Sequence, residues 1–272
     1  MYNIVSKLII YGDMDKDSIL MKLSDIIRKY KETDYKKDEI ITELYCQVKR
    51  ILEVSTDYGF DDNLWHNYLT YLLITDENPF SLTCEKIGAN NGSVNHFAEN
   101  DFKQFKALFD YDFTSMEEDL GIDCFKQLSN YKAIGKPELM YNKNVSEKVR
   151  TLSKKLEQSK EFFEHVTNFY KDYGVGMFGL NKAFRITDTV PFKFHAINNM
   201  DKVMLDDLVG YEIQKKKLVD NTEAFVEGRK ANNCLLFGDS GTGKSTSIKA
   251  IVNQYYDKGL RMIEIYKHQF KD

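Results

Sequence analysis

The residues best equipped for chemistry lie late in the chain, in the run Gly238, Asp239, Ser240, Gly241, Thr242, Gly243, Lys244, Ser245. They fill the pattern GxxxxGK[ST], and each residue type in it answers a demand made by a polyphosphate. Glycines let successive backbone N–H groups turn toward one point and form a concave nest for an anion. A helix that starts at the end of the loop adds the positive end of its dipole. The ammonium of Lys244 can reach between the β and γ phosphates, and the hydroxyl of Ser245 can serve as a ligand to Mg²⁺. Thr246 completes the first helical turn. The spacing therefore predicts a site for a nucleoside triphosphate, ATP with Mg²⁺ as the expected cofactors. At ordinary glycine usage a chance match in a chain of this length is on the order of one in a hundred.

Such a loop needs a strand before it and a helix after it. Asn233 to Phe237 (NCLLF) is a short apolar run that predicts a buried parallel strand. Thr246 to Tyr256 predicts a helix, Lys258-Gly259 a turn, and Leu260 to Tyr266 a second strand, giving one βαβ unit. Upstream, the stretch from Leu205 predicts a helix with an acidic start that continues through Ile213, Leu218 and Phe225 and ends at Gly228. The run Lys215-Lys216-Lys217 lies on that helix between Glu212 and Asp220 and reads as a solvated charged face.

The first two-thirds of the chain must bury its own core, and its pattern is helical. Ile19, Leu20, Leu23, Ile26, Ile27 and Tyr30 share one face, as do Ile40, Ile41, Leu44, Tyr45, Val48, Ile51 and Leu52. Leu64 to Ile74 is apolar nearly all round and predicts a central helix. Pro79 marks a boundary, 88–92 (GANNG) a loop, and shorter helices are expected over Asp101–Phe109 and Ile122–Asn130. The longest helix is expected from about Val145 to Tyr173, with Gly174 as its C-cap. Beyond it, glycines and short alternating runs at Ala183–Ile186 and Phe192–His195 predict a connector with short strands. Gly174, Gly176 and Gly179 spell GxGxxG, but a dinucleotide fingerprint needs a strand before it and a helix after it. Here a helix precedes, so that reading is rejected.

Composition sets limits. Of 38 Lys+Arg and 42 Asp+Glu, 12 and 11 fall from Asp201 onward, so neither part is basic and nucleic acid is not an expected partner. The four cysteines show no paired spacing, which argues against a zinc site and for reduced thiols in a cytoplasmic setting. The N-terminal apolar run is short and broken by Lys7, unlike a signal peptide, and no run reaches the length of a membrane span.

LDDLVGYE at Leu205 to Glu212 resembles the opening motif of AAA+ ATPases, which by that resemblance makes Val209 and Gly210 candidates for the adenine pocket. The stretches YGVGMFGLNKAFRI, GYEIQKKKLVDNTEAF, NNCLLFGDSGTGKSTSIKAI and GLRMIEIYKHQFKD resemble a bacterial family of predicted AAA+ ATPases, Domain of Unknown Function 815; the turn NPFSLTCE is similar too. The resemblance implies an ATPase whose Mg²⁺ and attacking water are placed by an acidic Walker B strand, followed by a sensor, an arginine finger and a helical lid, and whose subunits often assemble into rings. The sequence ends at Asp272 before any of these, so the expectation is a fragment: Walker A present, Walker B absent, no catalytic residue assigned and negligible hydrolysis. Carried over with the family is a strand order in which 233–237 and 260–266 are not neighbours but about 14 Å apart.

The expected architecture is thus mostly α: an all-helical N-terminal domain (1–173), a connector with short strands (174–204), and a truncated P-loop α/β, AAA+-like domain (205–272) without its later strands and lid. Two other functions use the same residues. A P-loop kinase of a small acceptor would normally begin with the loop, and some two hundred residues precede it here; a GTPase would need a guanine-reading Asn-Lys-x-Asp, which is not found. A helical module that captures a protein partner under nucleotide control is compatible with the ATPase reading, and an intact relative would be a candidate homo-oligomer.

Overall fold

A computed structural model describes residues 1–12, 15–32, 35–133, 143–159, 161–188, 192, 194–197 and 200–271. It divides into two compact units, Met1–Leu180 and Asn181–Asp272. The chain is mostly helical, with one small three-stranded sheet.

The first unit holds eleven helices among its described residues: α1 (Tyr2–Val5), α2 (Ile19–Tyr30), α3 (Lys37–Tyr58), α4 (Leu64–Thr75), α5 (Pro79–Ile87), α6 (Val94–Phe109), α7 (Thr114–Leu120), α8 (Cys124–Leu128), α9 (Lys143–Gln158), α10 (Phe162–Tyr173) and α11 (Gly176–Leu180). Local signals explain several of their ends. The Ser18 hydroxyl accepts the Met21 N–H at the start of α2, and Asn63 does the same for His66 at the start of α4. Pro79 occupies the first turn of α5, where Asn78 and Ser81 form a reciprocal capping box. The apolar helix α4 is central: Leu64, Leu69 and Leu73 are fully buried, and α4 packs against α3, α6, α9 and α10. Trp65 donates its indole N–H to the Leu108 carbonyl at 2.9 Å, satisfying the polar atom of a buried ring. On α6, the buried carboxylate of Asp101 accepts the backbone N–H groups of Ile9, Ile10 and Tyr11, fastening the N-terminal segment.

One long helix was expected over 145–173, and the structure has two. The step of seven between Leu156 and Phe163 spans the break between α9 and α10, where the Ser159 hydroxyl accepts the Glu161 N–H. A short polar side chain bonding to nearby backbone competes with helix continuation. The longest helix is instead α3. Gly174 ends α10 with φ 85°. The GxGxxG spacing has a packing cause: a Cβ on Gly179 would lie 2.6 Å from the Gly174 carbonyl, and one on Gly176 would collide with Glu77.

The second unit contains β1 (Ala183–Ile186), β2 (Phe194–Ala196), a 3₁₀ turn at Leu205–Asp207, α12 (Glu212–Val226), α13 (Lys244–Tyr255), a 3₁₀ turn at Tyr256–Lys258, β3 (Met262–Glu264) and a C-terminal 3₁₀ segment, Lys267–Lys271. The sheet order is β2-β1-β3. β1 pairs antiparallel with β2 (Arg185 opposite His195) and parallel with β3 (Ala183 opposite Met262). Across β1 and β3, Arg185 donates two hydrogen bonds to Glu264. A separate small core joins Leu205, Ala250, Ile251 and Tyr255, with Leu208, Leu218, Val219 and Leu260 packed on it.

Three expectations are corrected here. The run 233–237 belongs to no strand, and Leu235 and Phe237 are 84% and 83% exposed. An apolar run forms a buried strand only beside strands that accept its hydrogen bonds, and among the described residues none lies next to it. The second strand shrinks to Met262–Glu264 and pairs with β1, from the expected connector; it does not pair with 233–237, in line with the expectation that the two runs are not neighbours. The helix expected from Leu205 is interrupted: Gly210 (φ 84°) and Tyr211 (φ 57°) turn the chain, and α12 begins only at Glu212.

Candidate functional site

The glycines of 238–243 take the backbone conformations that a tight loop demands. Gly238, Gly241 and Gly243 have φ of 140°, 81° and 76°, a region that side-chain-bearing residues rarely enter. Gly243 is the N-cap of α13, and Lys244, Ser245 and Thr246 form the helix's first turn, whose N–H groups lack intrahelical acceptors. Asp239, Ser240 and Thr242 make up the rest of the loop. The Thr242 hydroxyl donates to the Asp239 carbonyl at 2.9 Å and braces the turn.

Lys244 folds back over this loop. Its ammonium donates to the carbonyls of Gly238 (2.9 Å) and Asp239 (2.5 Å) and to the Thr242 hydroxyl (3.2 Å). Three donors on one nitrogen meet three acceptors, so the cation sits across the mouth of the loop. Ser245 is exposed in the same turn. Behind the loop, α13 is held by Lys249, paired with Asp201 at 2.7 Å, and by Asn253, which donates to the carbonyls of Asp201 and Val203. Farther along, Tyr255 donates to Glu223 of α12 at 2.9 Å, and burial pushes its hydroxyl pKa up to about 12.

The structure brings the opening motif to this loop through a residue that the sequence did not single out. Leu208 lies 3.9 Å from where a Cβ on Gly243 would stand, and Leu205 is in the core that α13 shares. Val209 itself is 94% exposed, and a Cβ on Gly210 would meet nothing within 4 Å, so this turn is open to solvent. Lys215 was read as part of a solvated run. Its ammonium instead donates to the Leu208 carbonyl at 2.8 Å and pairs with Glu212, fixing the turn to α12; the neighbouring Lys216 pairs with Asp220 on the surface.

Asn221 also escaped the sequence reading. Its side-chain amide donates to the Asn232 carbonyl and accepts the Asn232 N–H, both at 2.8 Å, so one amide substitutes for a strand neighbour just ahead of the loop. The Glu212–Lys215 spacing of three was a readable signal for Lys215. Nothing in sequence marks Asn221, because its partners lie eleven and thirteen residues away, the backbone of Asn232 and the thiol of Cys234.

By fold and site, then, this is a mostly helical protein whose second unit sets a glycine-rich turn, with a lysine folded over it, at the head of a helix. Residues 180–272 match the family model described as "Protein of unknown function (DUF815)". That similarity covers the second unit and leaves the first outside it. No curated protein and no solved structure matches the chain. Among the described residues, no helix is long and apolar enough to cross a membrane.

Proposed function

We propose that the second unit binds the phosphates of a nucleoside triphosphate on Gly238–Thr246, with ATP the nucleotide that the AAA+ resemblance implies. One observation carries the reading: three positive-φ glycines turn the chain directly into the N-terminus of α13, with Lys244 poised on the loop it closes. The first-turn N–H groups of α13, which lack intrahelical acceptors, the positive end of the helix dipole and one ammonium lie in the same short stretch, and together they favour a compact polyanion. Lys244 would exchange its bonds to the two loop carbonyls for phosphate oxygens. Magnesium takes oxygen ligands and keeps several waters, so a single exposed hydroxyl, Ser245 Oγ, suits it beside phosphate oxygens. When bound, the metal neutralises phosphate charge. The open turn at Val209 and Gly210, tied to Gly243 through Leu208, is the natural side for the base.

The test is calorimetry on the full chain with magnesium ATP. Heat of binding that is reduced at least a hundredfold in affinity by Lys244→Ala, with the helical circular dichroism unchanged, is the expected result. A folded wild type that gives no heat, or a Lys244→Ala protein that binds as well, would sink the reading.

A further inference from the structure

Between Lys230 and Asp239 the chain runs ANNCLLFG, eight residues without a charge. Leu235 and Phe237 in it face solvent, and Phe225, one turn beyond Asn221 on the same face of α12, is 64% exposed. Among the described residues, no hydrogen bond engages the backbone of Asn233 to Phe237. Open backbone groups beside apolar side chains invite another strand, and proteins that avoid this place charges or proline on the segment. Here neither is present.

Two observations say what fits. The Asn221 amide already takes the N–H and the carbonyl of Asn232. In an extended strand, successive residues direct these groups to alternate edges, so those of Asn233, Leu235 and Phe237 belong to the edge away from Asn221. The second observation is charge. Arg229 and Lys230 precede the run and Asp239 follows it. Arg229 pairs with Glu227, whereas among the described residues neither the exposed Lys230 nor the exposed Asp239 is in an ion pair. The segment is therefore basic at one end, acidic at the other and neutral between. Laid antiparallel on a second copy of itself, it sets each basic end against the other's acidic end; laid parallel, it would set like against like.

We propose that this run is where two copies of the chain pair, as antiparallel strands about a two-fold axis through Leu235. Asn233 of each copy then stands opposite Phe237 of the other, and the two Leu235 side chains cover one another at the axis. Both copies use the same edge, so the association closes at a dimer and does not propagate. The pairing is independent of phosphate binding.

Sedimentation equilibrium on the full chain tests this. The mass should rise with concentration from 31.8 kDa to twice that value and no further. Leu235→Lys and Leu235→Asp each set like charges opposite one another at the axis. Each variant alone should stay monomeric with unchanged helical circular dichroism, and an equimolar mixture of the two should recover the dimer. Amide exchange over 233–237 of the wild type, which needs no variant, should slow as the dimer forms. Several results would overturn the proposal: a wild type monomeric at every concentration, growth past two copies, a dimer undiminished in Leu235→Lys, or a mixture that stays monomeric. Amides at 233–237 already protected in the monomer would mean that the chain itself covers the run, and exchange equally fast in monomer and dimer would put the interface elsewhere; either sinks the idea.

Discussion

The two units treat the same residue types in opposite ways. In the first, Leu64, Leu69 and Leu73 of α4 are fully buried, while in the second Leu235 and Phe237 are more than four-fifths exposed and Val209 is 94% exposed. Both stretches are apolar runs, so hydrophobicity alone does not separate them. What differs is cover. Helix α4 packs against α3, α6, α9 and α10, and aromatic contacts such as Trp65 on Phe113 at 5.6 Å close the gaps. Beside the run ahead of the glycine-rich loop stands the Asn221 amide, bonded to the backbone of Asn232 and to Cys234 Sγ. Burial is a property of neighbours, and a run of apolar residues only offers it.

The largest effect that sharpens this contrast is expected in the first core. Phe105 is fully buried and meets Tyr11 edge-on at 5.5 Å. Phe105→Ala should cost about 3–5 kcal/mol, from lost transfer energy plus the cavity left behind. Urea unfolding followed by the fluorescence of Trp65, the chain's single tryptophan, reports on this unit alone. A loss below about 1 kcal/mol would mean that the site collapses freely, as a loosely packed core would, and the contrast between the units would dissolve.

The same difference governs what could be read from sequence. Where local pattern and tertiary cover agree, the elements were legible: the face of α2, that of α3 apart from Tyr45, which is 48% exposed, the apolar α4, the boundary at Pro79 and the strand at Ala183–Ile186 all follow from period, caps and turn residues. The loop at Gly238–Ser245 was legible as well, because glycine, lysine and serine at fixed spacing carry their own geometry. Reading failed where the outcome depended on distant neighbours. Asn233–Phe237 has the composition of a buried strand and lacks the partners that make one. Leu260–Tyr266 pairs over three residues only, with a strand nearly eighty positions earlier in the chain. The break at Gly210-Tyr211 was missed because a tyrosine gives no warning of positive φ, and the break after Gln158 because a single serine outweighed a good amphipathic pattern.

A smaller effect, again confined to the first unit, is its response to mild acid. His66 is stacked on Phe109 with ring centroids 4.7 Å apart, and its Nε2 lies 2.9 Å from the Phe109 carbonyl. That carbonyl can only accept, so Nε2 carries the proton. The buried Nδ1 has no hydrogen-bond partner and lies 3.7 Å from Glu157 Oε1. Burial holds the pKa below its ordinary value near 6.5, outweighing the Phe109 hydrogen bond and the Glu157 charge that pull the other way; Lys106 lowers it and Asp110 raises it to a lesser degree. The unfolded chain then takes up this proton first as pH falls. Stability from His66 is complete above the unfolded value and declines below about pH 6.5, until the folded pKa is reached. His66→Gln, which can keep a donor toward Phe109, should flatten that part of the stability profile measured by urea at pH 7.5 and 5.5. A profile as steep as wild type would assign the acid sensitivity elsewhere.

The smallest expected effect is the most discriminating for the second unit. Leu235→Ser changes a residue that faces solvent, so its cost should fall within about 0.5 kcal/mol. Amide exchange along α13, at Ala250 and Ile251 of the small core, measures this locally, where Trp65 would be blind. Light scattering should fall at the same time, because an exposed apolar segment is a template for self-association and a polar side chain blunts it. If α13 amides instead lose protection as they would after a core truncation, Leu235 is covered in solution. The run 233–237 would then be the buried strand that its composition suggests, and the two units would differ in degree of packing, with no difference in kind.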